Sequence, residues 1–160
     1  MAERVPKTNA MRLLDTHGVA YEVRAYHLDT DEFDASTVAE LIGLPPQRVF
    51  KTLVVHVEPL GPCFAVVPAS AELDLKALAG AVGAKRAELA PLRDVEALTG
   101  YVRGAVTVLA ARRAYPIVVD ESALTAETIA VSGGRRGVQL VVATAGYLAV
   151  AGAATAPIAR

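Results

Sequence analysis

Two runs of β-forming residues constrain this chain more than any other feature. Val49, Phe50, Leu53, Val54, Val55 and Val57 crowd the stretch from Arg48 to Val57, and Cys63 to Val67 forms a second run. The Glu58-Pro-Leu-Gly-Pro62 connector breaks the pattern between them, and Pro68 follows the second run, so the pair reads as a hairpin. Strands this apolar need a core around them. With 160 residues, 53% of them apolar, the chain has the side chains for one, and a single domain spanning 1–160 is the expectation.

The remaining elements follow from caps and periodicity. Thr8 and Asn9 can cap a helix through Met11, Leu13 and Leu14 to His17, with Gly18 as its left-handed stop. Tyr21 to Tyr26 alternates as a half-exposed strand does. Asp34 or Ser36 can cap a second helix whose buried stripe is Val38, Leu41 and Ile42, ended by Gly43 and the turn at Pro45 and Pro46. Leu73, Leu75, Leu78 and Val82 mark a third helix before Gly83, and Pro91 to Leu98 a fourth before Gly100. Val102 to Leu109, Ile117 to Val119, Thr128 to Val131 and Val138 to Val142 are strand candidates, with a last helix over Thr144 to Val150. Helices and hairpins mix without a βαβ rhythm, which predicts an α+β fold.

Charge and cysteine content exclude several classes. Sixteen Lys and Arg against 17 Asp and Glu leave a formal charge of -1, too little positive charge to hold nucleic acid by bulk electrostatics. The single cysteine, Cys63, permits neither an intrachain disulfide nor a multi-cysteine zinc site, and fits a reducing cytoplasm. Val138 to Ala159 carries no charge and could span a bilayer by length. Its Ala, Gly and Thr content, Gln139 within it, and the strand-like Val138 to Val142 favour a soluble strand over that rival. The N-terminus has charges but no apolar segment of a secretory signal after them.

Lys51 is the foremost candidate for chemistry. It is one of four lysines and sits within the most apolar strand, on the side of Val49, Leu53 and Val55 if the strand alternates regularly. Its ammonium can point into a polar cavity, or it can guard a strand edge against aggregation; both readings stand at this point. Thr99-Gly-Tyr-Val-Arg-Gly104 and Ser132-Gly-Gly-Arg-Arg-Gly137 could present bare backbone N–H groups to an anion or ester oxygen, or could simply be a helix stop and a hairpin turn. The pairs Arg112-Arg113 and Arg135-Arg136 could touch phosphates or be ordinary solvated surface. Neither a nucleotide-binding glycine motif nor metal-ligand spacing among His17, His27 and His56 is present, and no Ser or Cys lies in a nucleophile motif, so no cofactor is implied. Five tyrosines, three phenylalanines and no tryptophan, scattered along the chain, make no stacking platform for single-stranded RNA.

Five segments in order, Lys7-Thr-Asn-Ala-Met-Arg12, Val49-Phe-Lys-Thr-Leu53, Leu73-Asp-Leu-Lys-Ala-Leu78, Thr99-Gly-Tyr-Val-Arg-Gly104 and Val131-Ser-Gly-Gly-Arg-Arg-Gly137, give the chain a family likeness over nearly its whole length. It resembles the YbaK/EbsC-type Cys-tRNA(Pro) deacylases of the bacterial prolyl-tRNA editing superfamily. The resemblance implies a mixed, barrel-like β-sheet with flanking helices, and a cleft where Lys51 meets the 3′ end of a mischarged tRNA(Pro). It also implies that Tyr26, Phe33, Thr52, Gly104 and Ser132 line this cleft with Gly133 and Gly134 beside them. Prolyl-tRNA synthetase is the implied partner, with no membrane and no cofactor. In such deacylases the substrate's own thiol attacks its carbonyl, releasing tRNA and a cyclic thiolactone; the protein positions the ester and stabilises charge on its oxygen.

The likeness has departures. Where the family usually has a second glycine and later Ser-Pro-Leu-Gly, this chain has Ala105 and Thr107-Val-Leu-Ala110, and Gln139 stands where some members carry an acid. The glycine-to-alanine change is shared with relatives that edit alanine or other small residues, so Ala-tRNA(Pro) is a second candidate substrate. A non-catalytic module of the same fold, binding tRNA or synthetase, and a Schiff-base role for Lys51 are the other readings.

Overall fold

A computed structural model describes residues 5–27 and 34–160. In chain order the elements are α1 (Asn9–Thr16), β1 (Tyr21–Ala25), α2 (Ala35–Ile42), β2 (Phe50–Glu58), β3 (Gly61–Pro68), α3 (Leu75–Val82), β4 (Arg86–Leu89), α4 (Leu92–Thr99), β5 (Ile117–Asp120), β6 (Thr128–Ser132), β7 (Val138–Ala143), α5 (Thr144–Ala151) and β8 (Ala154–Ala156). Thr8, Asp34 and Asp74 cap α1, α2 and α3 by accepting backbone N–H bonds from Met11, Ser36 and Ala77, which satisfies donors that a helix start leaves open.

The strands form two sheets. One is antiparallel, in the order β1-β7-β6; the other is mixed, in the order β4-β2-β3-β5-β8, with β3, β5 and β8 parallel. β2 and β3 pair from Phe50↔Pro68 to Val57↔Gly61, the hairpin that the apolar runs predict. An isolated parallel bridge, Val49↔Ala130, ties the sheets together, so the mixed sheet curls toward the smaller one without merging into a closed barrel.

The apolar runs are nearly unbroken because the hairpin is covered on both faces. Phe50, Val54, Phe64 and Val66 pack in a cluster with Leu14, Leu109, Ile129, Leu140 and Tyr147, which joins the two sheets to α1 and α5. The alternate residues, Val55, Val57, Cys63, Ala65 and Val67, pack with Leu78 of α3 and with Ile158. Asp120, buried at the end of β5, holds the C-terminal segment by accepting from the Ile158 and Ala159 N–H groups, both at 3.0 Å.

One expectation changes. Val102 to Leu109 is a loop: Tyr101 Oη donates to the Leu109 carbonyl at 2.6 Å, Thr107 Oγ1 accepts from Leu109 N–H, and Gly104 and Ala110 turn the backbone at φ +87° and +56°. The segment is largely apolar because Ala105, Val108 and Leu109 plug the core. The uncharged stretch from Val138 folds as β7, α5 and β8, and no helix among the described residues is long and apolar enough to cross a membrane. β4 and β8, short and largely exposed, carried no sequence signal.

Ala110 occupies a left-handed conformation in which its Cβ crowds the backbone. Ala110→Gly should therefore raise the unfolding free energy by about 1 kcal/mol, or a melting midpoint by about 2–4 °C for a chain of this size. Thermal denaturation followed by circular dichroism measures this; an unchanged or lower midpoint would contradict the assignment of strain.

Candidate active site

The site arises where the two sheets part. β4 pairs with β2 from Val55 to Glu58, and the bridge to Ala130 holds β2 at Val49; between these points that edge of β2 has no strand neighbour among the described residues. Ala90 N–H donates to the Val54 carbonyl at 2.9 Å, so Val54 turns its backbone polar groups to this edge. Alternation turns the N–H and C=O of Thr52 the same way, toward the gap, whereas Lys51 and Leu53 direct theirs at β3.

A cavity of about 520 Å³ fills the gap, within the ~300–1,000 Å³ range of small-ligand sites. Its β2 wall runs from Val49 to Val54, including both strand parities, Lys51 as well as Thr52. Ser132 and Gln139 of the smaller sheet, Tyr26 beyond β1, and Arg103 and Gly104 of the Tyr101 loop border it, with Asp34 and Val38 at α2 and Leu89, Leu92 and Val95 around β4 and α4. Most of this lining is apolar, so the few polar groups act in a site poor in water.

Lys51 is half-buried and makes no hydrogen bond or ion pair with the described residues. Of the two readings of this lysine, the cavity wall is where the structure places it. Burial pushes the Tyr26 phenol above its ordinary value, with the Gly137 backbone and Gln139 pulling the other way, so Tyr26 is a protonated donor at neutral pH. Gln139 borders the cavity but is only 7% exposed, and its Oε1 is enclosed with no partner among the described residues.

The two glycine stretches contribute unequally. Gly104 borders the cavity, while its neighbour Ala105 gives its N–H to Val102 O at 2.9 Å. Gly133 and Gly134 do not line the cavity. Gly133 N–H donates to Val138 O at 3.0 Å and Gly134 N–H to Ser132 Oγ at 3.2 Å, so both are committed to the β6–β7 turn and steady Ser132. A side chain at Gly133 would come within 2.7 Å of Val138 Cγ1, which explains the glycine by packing. Phe33 lies outside the described residues. Arg103 and Gln139 were not singled out as site residues, although each had a signal: one lies inside the Thr99–Gly104 motif and the other is the lone polar residue of an apolar strand. Leu89 carries no sequence signal, because β4 is short and largely exposed, and Leu92 reads only as the start of α4.

Burial raises the Cys63 thiol to about 11, and the side chain is fully enclosed between the strands of its sheet. It is a packing residue away from the cavity. Among the described residues no group of three His, Cys, Asp or Glu side chains could hold a metal ion. The arrangement is therefore suited to orienting an ester and stabilising negative charge on its oxygen, through the Lys51 ammonium and backbone N–H groups, with no side-chain nucleophile of its own.

Comparison with known proteins agrees with this geometry. Residues 30–150 match the model of the aminoacyl-tRNA editing domain. The chain is 40% identical over 144 residues, 90% of its length and 88% of the other protein, to EbsC of Enterococcus faecalis, whose name is that of a Cys-tRNA(Pro)/Cys-tRNA(Cys) deacylase. Its fold superimposes on hypothetical protein APE2540 with a TM-score of 0.85 at 22% identity, covering 96% of this chain and 100% of that one. A crystal structure titled as a trans-editing enzyme for prolyl tRNA synthetase matches with a TM-score of 0.81 at 24% identity, covering 95% of each chain. The match of that family model over residues 30–150 and the 40% identity to EbsC over 90% of the chain place this chain in the aminoacyl-tRNA editing domain family.

Proposed function

We propose that the chain is a trans-editing deacylase acting on mischarged Cys-tRNA(Pro), with Ala-tRNA(Pro) as a second substrate, in the cytoplasm and alongside prolyl-tRNA synthetase. One observation carries the reading: Lys51, the unpaired backbone edge at Thr52, Gly104 and Ser132 border a single cavity. The 40% identity to EbsC supports cysteine as the leading amino acid.

In this reading the terminal ribose and aminoacyl ester enter the gap between the sheets. The Lys51 ammonium orients the ester and the adjoining ribose and phosphate, while N–H groups of Thr52 and Gly104 face the carbonyl oxygen as it gains charge. With cysteine, the substrate sulfur bonds to the carbonyl carbon, the ester C–O bond breaks and the ribose oxygen takes the proton, leaving a thiolactone; with alanine, water must supply the attacking oxygen. Chromatography of the released product separates the two routes.

Lys51→Ala should lower kcat/KM on Cys-tRNA(Pro) at least 100-fold, about 2.7 kcal/mol of transition-state stabilisation, with the melting midpoint within about 2 °C of the parent. Deacylation at the parental rate would refute the role. Cys63→Ala should leave turnover within about twofold, since the thiol is enclosed and protonated; a loss beyond tenfold in a folded variant would implicate it in chemistry. A panel of Cys-, Ala- and Pro-tRNA(Pro) should show cysteine released fastest and proline retained. Release from none of the three would make the chain a binding module.

A further inference from the structure

Charge is distributed unevenly over this nearly neutral chain. Residues 97–119 contain Arg103, Arg112 and Arg113, and residues 128–160 contain Arg135, Arg136 and Arg160, with no Asp or Glu in either segment. The fold brings the two acid-free segments together. Gly134 packs against the Tyr101 ring, where an added Cβ would stand 3.1 Å from the ring edge, and Arg136 Nε donates to the Arg103 carbonyl at 2.8 Å. Arg112 N–H closes the Tyr101 loop on Thr99 O at 2.8 Å, which holds Arg112 and Arg113 at the base of the same loop. Arg160 lies elsewhere, beside Glu72.

Five exposed arginines thus sit on the Tyr101 loop, at its base and on the β6–β7 turn packed against it. Arg103, Arg112, Arg113 and Arg135 have no ion pair with an acid among the described residues. Asp120, which ends the first acid-free segment, is buried and spends its carboxylate on backbone N–H groups. Arg103 also borders the cavity, so the cationic face runs continuously into the site.

We propose that this arginine face is the docking surface for the phosphate backbone of the tRNA, guiding its 3′ end past Arg103 into the cavity. The proposal rests on the deacylase reading of that cavity. It reconciles a net charge of -1 with an RNA substrate: binding depends on a local patch formed by two loops, and the acidic remainder of the surface keeps RNA from other faces.

The test uses fluorescein-labelled, uncharged tRNA(Pro) transcript and anisotropy titrations at several salt concentrations, so that no chemistry is needed. Arg113 and Arg135 lie outside the cavity lining and carry no acid partner, and Arg113→Glu/Arg135→Glu should weaken binding at least tenfold near 0.1 M salt. The neutral pair Arg113→Gln/Arg135→Gln should flatten the slope of log affinity against log salt by roughly 1 to 2, as expected for two lost phosphate contacts. Lys76→Glu/Lys85→Glu, with the same change in net charge at exposed positions on α3 and just before β4, should stay within about twofold. All variants should melt within about 2 °C of the parent. Unchanged affinity and slope in both arginine pairs, an equal loss in the lysine pair, or no binding by the parent chain would overturn the proposal. Arginine-dependent binding without release of amino acid from any charged tRNA would reject the deacylase reading and leave the docking face standing.

Discussion

The site depends on one broken pairing. A β-strand normally engages neighbours on both edges, yet β2 is held on its outer edge at Val49 by Ala130 and again from Val54 onward by Ala90 and β4, with a gap of four residues between. An unpaired backbone edge inside a protein is costly unless something satisfies it. Here the gap opens into a cavity, and a passing substrate oxygen can be that partner. The hairpin with β3 and the apolar clusters on both faces of the mixed sheet keep β2 from relaxing to close the gap.

This geometry explains how a sparse inventory can serve ester cleavage. The cavity contributes the Lys51 ammonium, Arg103 and Asp34 at its border, a few neutral donors and acceptors, and an apolar wall that lowers the local dielectric. None of these groups is a strong nucleophile, and in the proposed reading selectivity comes from what fits between Gly104, Ser132 and Gln139. In the neighbouring loop Ala105 is buried and Ala110 is left-handed, and the course of the loop is held by Tyr101 and the buried Leu109.

Legibility in the sequence followed the physics of each element. The β2–β3 hairpin was plain because strands buried on both faces cannot hide their apolar character; α1 and α2 announced themselves through Thr or Asp caps and glycine stops, and α3 through its spaced apolar residues and Gly83. Val102 to Leu109 misled because a loop that plugs a core has the composition of a strand; the tertiary bonds from Tyr101 decide between them. Lys51 stood out as a charge in an apolar run, but its relation to Ser132 and Gly104 needed the parting of the sheets, a feature of long-range pairing. The turn glycines 133 and 134 illustrate the reverse: their motif suggested exposed N–H groups, and the hairpin uses both internally.

The central claim is that the aminoacyl end of tRNA binds in the gap with its carbonyl against the open edge of β2. Amide NMR during titration with a non-hydrolysable 3′-cysteinylamido-adenosine tests it directly. The account predicts a large downfield proton shift at Thr52, with smaller changes at Lys51, Gly104 and Ser132 and quiet amides in α3 and β8. Saturable binding that leaves Thr52 and its neighbours unmoved, or shifts centred on another surface, would contradict it.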